Sequence, residues 1–138
     1  MMITETRSVS FPSVKENIAL VGKYVDEICE FYNIGDENYG NILIAVTEAV
    51  SNAIYHGNRL NPDKDVRFHY ETKENNLCFV IEDEGRGYNP ETLPDPTDPE
   101  NVESPNGRGV FLMRKLTDDI RFENEGKRVE LYFRIVNQ

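Results

Sequence analysis

The sequence predicts an α+β fold, a two-layer α/β sandwich in which a mostly antiparallel sheet carries its helices on one face. Three observations support this class. Apolar residues recur at helical spacing through two successive segments of the first half of the chain. The second half contains two pairs of strand-like segments, each joined by a short turn. One of these segments, LCFVIED (77–83), is apolar almost throughout, as expected for a central strand that helices cover on one face.

The first predicted elements are a strand and a long helix. Alternation in ITETRSVSF (3–11) predicts the strand, which ends before Pro12. Ser13 and Glu16 have the S-x-x-E spacing of a capping box, so the helix is expected to begin there. Its apolar residues follow at helical spacing: Val14, Ile18, Val21, Val25, Ile28 and Tyr32.

A second helix is predicted after a break at residues 33–35. It begins at about Asp36 or Asn38 and runs to His56, where Gly57 ends it. Placing its residues around a helical wheel puts the core side chains in one sector of about 100°. These core residues are Leu43, Val46, Val50, Ala53 and Ile54.

The rest of the chain predicts a hairpin, a long loop, a short helix and a second hairpin. VRFHYET (66–72) and LCFVIED (77–83) pair around the turn between them. Residues 84–106 hold five of the seven prolines and few large apolar residues, so a functional or disordered loop is expected. GVFLMRKLTDD predicts a helix that begins near Gly109, and two strands follow around residues 125–126. The predicted order is β-α-α-β-β-loop-α-β-β.

Length, charge and cysteine content limit the class of protein. The 138 residues are predicted to form one domain, 1–138, with a real hydrophobic core. A net charge of -10 argues against nucleic-acid binding, although backbone N–H groups and one Mg²⁺ can still build a phosphate site. No apolar run approaches the roughly 20 residues that span a bilayer, so a cytoplasmic protein without membrane contact is predicted. Cys29 and Cys78 are predicted to be reduced core thiols.

The second helix also carries a polar ridge, formed by Glu48, Asn52 and His56, opposite its predicted core. Ala45 and Ala49 lie beside this ridge and are small, so something can lie closely against it. A solvated helix face is the alternative interpretation. Asn52 favours a site, because it is a poor helix former whose amide oxygen suits a hard cation, and Glu48 can hold or deprotonate a water or hydroxyl. His56 is interpreted as a residue that caps the helix end.

Two glycine-rich stretches complete the candidate motifs. In IEDEGRGY (81–88), Gly85 and Gly87 let the backbone approach a ligand, and Asp83 can accept a hydrogen bond from an exocyclic amine. An ordinary β-turn is the alternative there. PNGRGVFLM (105–113) places Gly-x-Gly directly before a predicted helix, whose N–H groups and dipole favour phosphate oxygens. A glycine-rich helix start is the alternative, and the stretch is neither a P-loop nor a dinucleotide fingerprint.

The order and spacing of these three motifs resemble the GHKL family of ATP-binding domains. Within it, the chain is most similar to the stand-alone anti-sigma factor/serine-protein kinase group of the RsbW and SpoIIAB type. TEAVSNAIYHGN, DEGRGYNPETLPDP and PNGRGVFLMRKLTD carry the likeness, which extends from Val9 to Val136. The resemblance implies the Bergerat (GHKL) ATP-binding fold, the cofactors ATP and Mg²⁺, and phosphoryl transfer to a protein serine.

The resemblance also implies roles for individual residues. Asn52 would bind Mg²⁺ through the ATP phosphates, and Glu48 would be the general base for the attacking serine hydroxyl. Asp83 would recognise adenine, and residues 88–106 would form the ATP lid. The implied pocket floor and phosphate-binding turn consist of Gly85 and Gly87, and of Gly107, Arg108 and Gly109.

One position departs from the pattern of the group. Many relatives carry Gly-Thr just before the last strand, where the Thr helps to fix a water and the adenine-binding aspartate. This chain has Gly126 and Lys127 there. The departure puts that single contact in question.

The resemblance further implies partners. Members of the group hold a sigma factor inactive, phosphorylate a serine on a STAS-domain antagonist, and are commonly homodimers. Two other functions stay open on the sequence. One is a non-catalytic interaction module of the same fold that uses nucleotide only to set its conformation. The other is a structural domain that binds no nucleotide and whose glycine turns are only turns.

Overall fold

The computed structural model describes residues 7–85, 105–124 and 126–135. Its helices and strands follow one another in the predicted order: β1 (Arg7–Pro12), α1 (Glu16–Phe31), α2 (Asp36–Asn52), β2 (Asp65–Lys73), β3 (Asn76–Glu82), α3 (Pro105–Leu116), β4 (Asp119–Glu123) and β5 (Arg128–Arg134). Within these ranges, no helix combines the length and the apolar character needed to cross a lipid bilayer.

The five strands form one sheet in the order β1-β2-β3-β5-β4, and every neighbouring pair is antiparallel. β3 lies at the centre of the sheet, and its five inner residues are all buried, which agrees with its apolar sequence. The helices pack on one face of the sheet. The predicted α+β sandwich is therefore confirmed.

The hydrophobic core lies between the sheet and the helices. In the ladder between β3 and β5, Phe79 lies opposite Leu131 and Ile81 lies opposite Val129, and all four belong to the core. The ring of Phe79 also stacks with that of Phe68 at 5.9 Å between centroids. The helices contribute Val21, Val25 and Ile28 from α1 and Val46, Val50 and Ile54 from the second helical segment. Removing this apolar surface from water is the main force that holds the two layers together.

The other face of the sheet is polar. Arg128 forms ion pairs with Glu82 at 3.2 Å and Glu130 at 3.0 Å, and the Tyr132 hydroxyl donates to Glu130 at 2.7 Å. Cys78 lies opposite Tyr132 in the ladder and is almost completely buried. These long side chains therefore shield the centre of a sheet face that carries no helix.

Both cysteines are free and buried. Burial raises the pKa of the Cys29 thiol and of the Cys78 thiol to about 11. The prediction of buried, free thiols is confirmed, and at neutral pH both are protonated. Cys29 belongs to the core between the sheet and the helices, whereas Cys78 lies on the opposite face of the sheet.

The predicted capping box at the start of α1 is wrong. Lys15 occupies the N-cap position, and no side chain caps the helix. The Ser13 side chain is fully buried and its hydroxyl donates to the Lys64 carbonyl at 2.6 Å. This tether to the loop before β2 uses the hydroxyl, so it is not available to the first turn of the helix.

α2 ends in one π-helical turn. The α-helix stops at Asn52, and Ala53–Gly57 winds more widely, so that the Asn58 N–H donates to the Ala53 carbonyl at 2.8 Å. The predicted end of the helical segment near His56 is confirmed, but its last turn is π-helical and not α-helical. Single π-helical turns in α-helices are frequent at functional sites.

α3 begins at Pro105, four residues before the predicted start near Gly109. The glycines had suggested a turn, but Pro is favoured at the first position of a helix because it lacks the N–H that would have no partner there. Of the predicted lid, 88–106, the last two residues belong to α3 and the others lie outside the described residues.

Candidate functional site

The polar ridge of α2 lies against α3. A Cβ atom built on Gly109 would be 3.0 Å from the Glu48 Oε2 atom, and 3.2 and 3.3 Å from the Asn52 Nδ2 and Oδ1 atoms. Such separations are tighter than nearly all real contacts, so only glycine allows this approach without a shift of the neighbouring side chains. Ala45 and Ala49 are buried in the same helix. These two small residues beside the ridge belong to the hydrophobic core, and α3 approaches the ridge itself at Glu48 and Asn52.

This packing changes the interpretation of Asn52. Its side chain is only 6% exposed, so it does not belong to a solvated helix face. A buried amide in a helix interior needs polar partners, because burying it without them costs about 1–3 kcal/mol. Asn52 therefore lies buried beside Gly109 of α3, one helical turn from Glu48.

The donor set at this site fits Mg²⁺ held together with phosphates. Among the residues that the structure describes, no group of three or more His, Cys, Asp or Glu side chains can hold a metal ion. Mg²⁺ commonly takes one or two protein oxygens and completes its shell with waters and substrate phosphates. The Asn52 amide oxygen is a suitable single ligand of that kind, and Gly109 leaves open the space that a Cβ would fill.

A second cluster forms where α2 meets the end of β3. A Cβ atom on Gly57 would lie 2.4 Å from the Asp83 Cγ atom, and a Cβ on Gly85 would lie 1.8 Å from the Gly57 carbonyl oxygen. Both separations are too short for any real side chain. The two glycine backbones are therefore in direct contact, and the Asp83 carboxylate lies over Gly57.

Asp83 is held by backbone hydrogen bonds on two sides. Its N–H donates to the Lys127 carbonyl at 2.9 Å, and its Oδ1 atom accepts from the Gly85 N–H at 2.9 Å. Burial raises the pKa of the Asp83 carboxyl to about 6, and the Gly85 N–H, Lys127 and Lys64 act in the opposite direction. At neutral pH the group is ionised and can accept a hydrogen bond from a ligand N–H.

Asn58 holds this cluster in place, and the sequence analysis did not identify it. Its side chain is 2% exposed, and its Nδ2 group donates to the Ser13 Oγ atom at 2.7 Å and to the Asp65 carbonyl at 3.0 Å. Its Oδ1 atom accepts from the Glu84 N–H at 2.8 Å. The signal in the sequence was an amide residue directly after Gly57, at a helix end with no turn motif to explain it. Asn58 joins α2, the segment before α1, β2 and the loop after β3.

The other predicted site residues are less closely constrained. His56 is half-buried in the π-helical turn, and burial lowers its pKa, so it is neutral at pH 7. Gly107 and Arg108 lie in the first turn of α3, where backbone N–H groups have no acceptor within the helix. Gly109 lies one residue beyond that turn, so the expected phosphate-binding turn is the start of a helix. Gly87 lies outside the described residues.

Comparison with known proteins finds similarity in sequence and in fold. Residues 11–133 match the family model described as the histidine kinase-like ATPase domain. The chain is 23% identical over 120 residues to the serine-protein kinase RsbW of Oceanobacillus iheyensis, covering 83% of this chain and 76% of that protein. It is 25% identical over 126 residues to the serine-protein kinase RsbW of Listeria innocua, covering 86% and 80%.

A solved structure gives the same fold. The RsbU and RsbW domains of a Mycobacterium tuberculosis protein superpose with a TM-score of 0.66 at 14% sequence identity. The match covers 97% of this chain and 33% of that longer one. At this identity the likeness concerns the fold alone.

Proposed function

The chain belongs to the histidine kinase-like ATPase domain family, and from that premise we propose that it is an anti-sigma regulatory factor with serine-protein kinase activity. It binds Mg-ATP, holds a sigma factor inactive, and phosphorylates a serine of a STAS-domain antagonist. The two relatives from Oceanobacillus iheyensis and Listeria innocua, both named serine-protein kinases, support the reaction class. The proposed location is the cytoplasm and the proposed assembly is a homodimer.

One observation carries the proposal: Glu48 and Asn52 lie one helical turn apart and face Gly109 of α3. Only glycine allows α3 to approach these two side chains so closely. Asn52 is the proposed Mg²⁺ ligand, and bound Mg²⁺ would neutralise charge on the ATP phosphates. Glu48 is the proposed base. It takes the proton of the serine hydroxyl while the serine oxygen bonds to the γ-phosphorus, the bond to the bridging oxygen breaks, and ADP leaves.

The second cluster is the proposed adenine end of the pocket. The ionised Asp83 would accept a hydrogen bond from the exocyclic amine. Gly57 and Gly85 would keep the end of α2 in contact with the loop that carries Asp83, and Gly85 and Gly87 are proposed to shape the pocket floor. From Glu48 to Gly57 the helix rises about 13 Å, which is a suitable length for a nucleoside triphosphate that extends from base to γ-phosphate.

The phosphates are the proposed ligands of the first turn of α3. Gly107 and Arg108 contribute N–H groups at a helix N-terminus, where the helix dipole favours anions. Gly109 keeps the space between this turn and Glu48 open. The residues before Pro105 would form the lid.

Two measurements test the proposal. The first is capture of partners by the full chain from a lysate of the source cell with Mg-ATP, followed by mass spectrometry for phosphoserine. The second is transfer from radiolabelled ATP to the captured STAS protein by the wild type and by Glu48→Gln. We expect Glu48→Gln to lower the transfer rate at least about 100-fold while ATP affinity changes little.

Glu37→Gln is the matched control, because Glu37 is an exposed residue in the first turn of the same helix. It should leave transfer unchanged. An equal rate for Glu48→Gln and the wild type would refute the role of Glu48. Mg²⁺-dependent ATP binding that Asn52→Ala abolishes, with no transfer to any partner, would instead support the non-catalytic interaction module.

A further inference from the structure

We infer that Glu84 is a positioning residue of the nucleotide site: its carboxylate fixes the chain just beyond β3, and with it the direction in which the Asp83 carboxylate meets the base. The inference rests on the proposed function, because it takes Asp83 as the acceptor for the exocyclic amine. Glu84 is not placed in contact with the nucleotide. It acts through the backbone that it shares with Asp83.

The ladder between β2 and β3 ends just before the segment that carries Asp83. Its last residue pair is Arg67 with Glu82. β2 continues beyond that pair to Asp65, which still pairs with β1. On the other side, the Asp83 N–H donates to the Lys127 carbonyl at 2.9 Å, so the chain after β3 follows β5. Asp65 therefore lies beyond the ladder that joins β2 to β3.

Two side chains take the place of the ladder at Asp65. The Asp65 N–H donates to the Glu84 carboxylate, and the Asp65 carbonyl accepts from the Asn58 Nδ2 group at 3.0 Å. The Glu84 N–H in turn donates to the Asn58 Oδ1 atom at 2.8 Å. These three hydrogen bonds close a ring through Asn58, Asp65 and Glu84. The ring joins the backbone groups at the start of β2 to the loop that carries Asp83.

The ring is anchored at Asn58. This residue is 2% exposed, and its N–H donates to the Ala53 carbonyl at 2.8 Å. Its Nδ2 group also donates to the Ser13 Oγ atom at 2.7 Å. Asn58 therefore cannot turn without breaking buried hydrogen bonds. Glu84, by contrast, is exposed, so its side chain can be removed without opening the interior.

Fixing Glu84 also fixes the carboxylate of Asp83. This carboxylate lies over Gly57, and its Oδ1 atom accepts from the Gly85 N–H at 2.9 Å. Consecutive residues are joined by rigid peptide planes, so a rotation at Glu84 moves the Gly85 N–H relative to Asp83. Loss of the Glu84 carboxylate would remove one of the two hydrogen bonds that hold this residue in the ring.

The chemical consequence concerns the recognition of the base. Hydrogen bonds weaken steeply as the donor, hydrogen and acceptor depart from a straight line. A displaced Asp83 carboxylate would therefore lose the exocyclic amine, whereas the contacts to the phosphates would remain. Glu84 is thus expected to affect how well the site distinguishes ATP from a nucleotide that has no exocyclic amine. Purine riboside triphosphate is such a nucleotide.

The test compares three variants of the full chain. Glu84→Ala removes the acceptor, whereas Glu84→Gln keeps an oxygen at the same distance along the side chain. Glu74→Ala is the matched control, because Glu74 is an exposed glutamate in the turn at the other end of the β2–β3 hairpin. The first readout is hydrogen exchange of the Asp65 N–H in nucleotide-free protein, measured by NMR. The second is the affinity for ATP and for purine riboside triphosphate with Mg²⁺, measured by calorimetry.

We expect Glu84→Ala to accelerate exchange of the Asp65 N–H at least about fivefold and to weaken ATP binding about fivefold. Binding of purine riboside triphosphate should change less than about twofold, so the preference for ATP falls. Glu84→Gln and Glu74→Ala should match the wild type in both readouts. General damage to the fold would instead weaken both nucleotides alike.

The possible failures are distinguishable. Equal exchange of the Asp65 N–H in the wild type and in Glu84→Ala would overturn the inference without any use of nucleotide. An unchanged preference for ATP in Glu84→Ala would overturn the positioning role and leave ATP binding in place. Equal affinity of the wild type for the two nucleotides would remove Asp83 as the acceptor, and the inference with it. Binding of neither nucleotide by the wild type would overturn the proposed function as well.

Discussion

Replacing Gly85 by alanine is the most severe single-atom test of the site. The added Cβ would lie 1.8 Å from the Gly57 carbonyl oxygen, whereas real Cβ atoms essentially never come within 3.0 Å of a neighbour. The obstacle is backbone, so no side-chain rotation relieves it. The loop after β3 and the end of α2 would have to separate by more than about 1 Å.

The cost can be worked from this geometry. Overpacking in a well-packed region costs about 1–3 kcal/mol, and a clash between two backbones belongs at the upper end. Separation would also disturb the hydrogen bonds of Asp83 with Gly85 and of Glu84 with Asn58. We expect a loss of about 3 kcal/mol, which for a domain of this size lowers Tm by about 10 °C.

Thermal unfolding of the full chain, followed by circular dichroism, measures this effect, and ATP calorimetry below Tm measures the damage to the pocket. Gly40→Ala is the matched control, because Gly40 lies inside α2 and a Cβ there meets nothing within 4 Å. It should raise stability by about 0.5–1 kcal/mol. A Gly85→Ala protein that melts within about 2 °C of the wild type and binds ATP normally would refute the reasoning.

Three further predictions concern buried polar groups. Asn58→Ala should lower the free energy of unfolding by about 2–4 kcal/mol in urea, since it removes the three hydrogen bonds of a side chain that is only 2% exposed. The control is Asn61→Ala, which removes a hydrogen bond within a surface turn and should cost less than about 1 kcal/mol. Equal losses for the two variants would contradict the prediction. Asp83→Asn should raise the free energy of unfolding near pH 8 by about 1–3 kcal/mol and change it little near pH 4. The reason is that burial raises the pKa of Asp83 in the folded state to about 6, so the cost of burying the ionised carboxylate disappears as the pH falls through that value. A gain in stability that does not vary with pH would contradict this prediction. Both cysteines are buried and have pKa values of about 11. Cys29 and Cys78 should therefore react with a chromogenic disulfide reagent near pH 8 only as fast as the protein unfolds locally. A reaction rate that urea does not increase would show that a thiol is already accessible in the folded protein.

The order of elements and the sheet were predictable because each rests on a local pattern. Alternation in β5 and the unbroken apolar run of β3 each reflect how many faces of the strand are buried. The spacing of Glu48 and Asn52 places both on one ridge of any helix, whatever packs against it. These features need no knowledge of distant contacts.

The rest depends on tertiary contacts that leave little trace in the sequence. From the sequence, the Ser13 hydroxyl could equally cap α1 or bond elsewhere. It bonds the Lys64 carbonyl, which only the tertiary fold brings within reach. Asn58 forms its hydrogen bonds with partners 45, 7 and 26 residues away. Gly57 was predicted as a helix end, yet its lack of a side chain matters because Asp83 lies over it. The start of α3 was missed because glycine has low helix propensity and the packing against α2 overrides it.

The π-helical turn Ala53–Gly57 determines how Gly57 is oriented relative to Glu48 and Asn52. The π-helical residues Ala53–Gly57 set both how far Gly57 lies from Asn52 and the direction in which Gly57 faces. Removing one residue from Ala53–Gly57 would restore ordinary winding, shorten the segment by about 1.5 Å and rotate everything beyond it by about 100°. Gly57 would then point its bare backbone away from Asp83, although every side chain of both clusters was still present. The length of this short segment is thus as much a part of the pocket as the residues that line it.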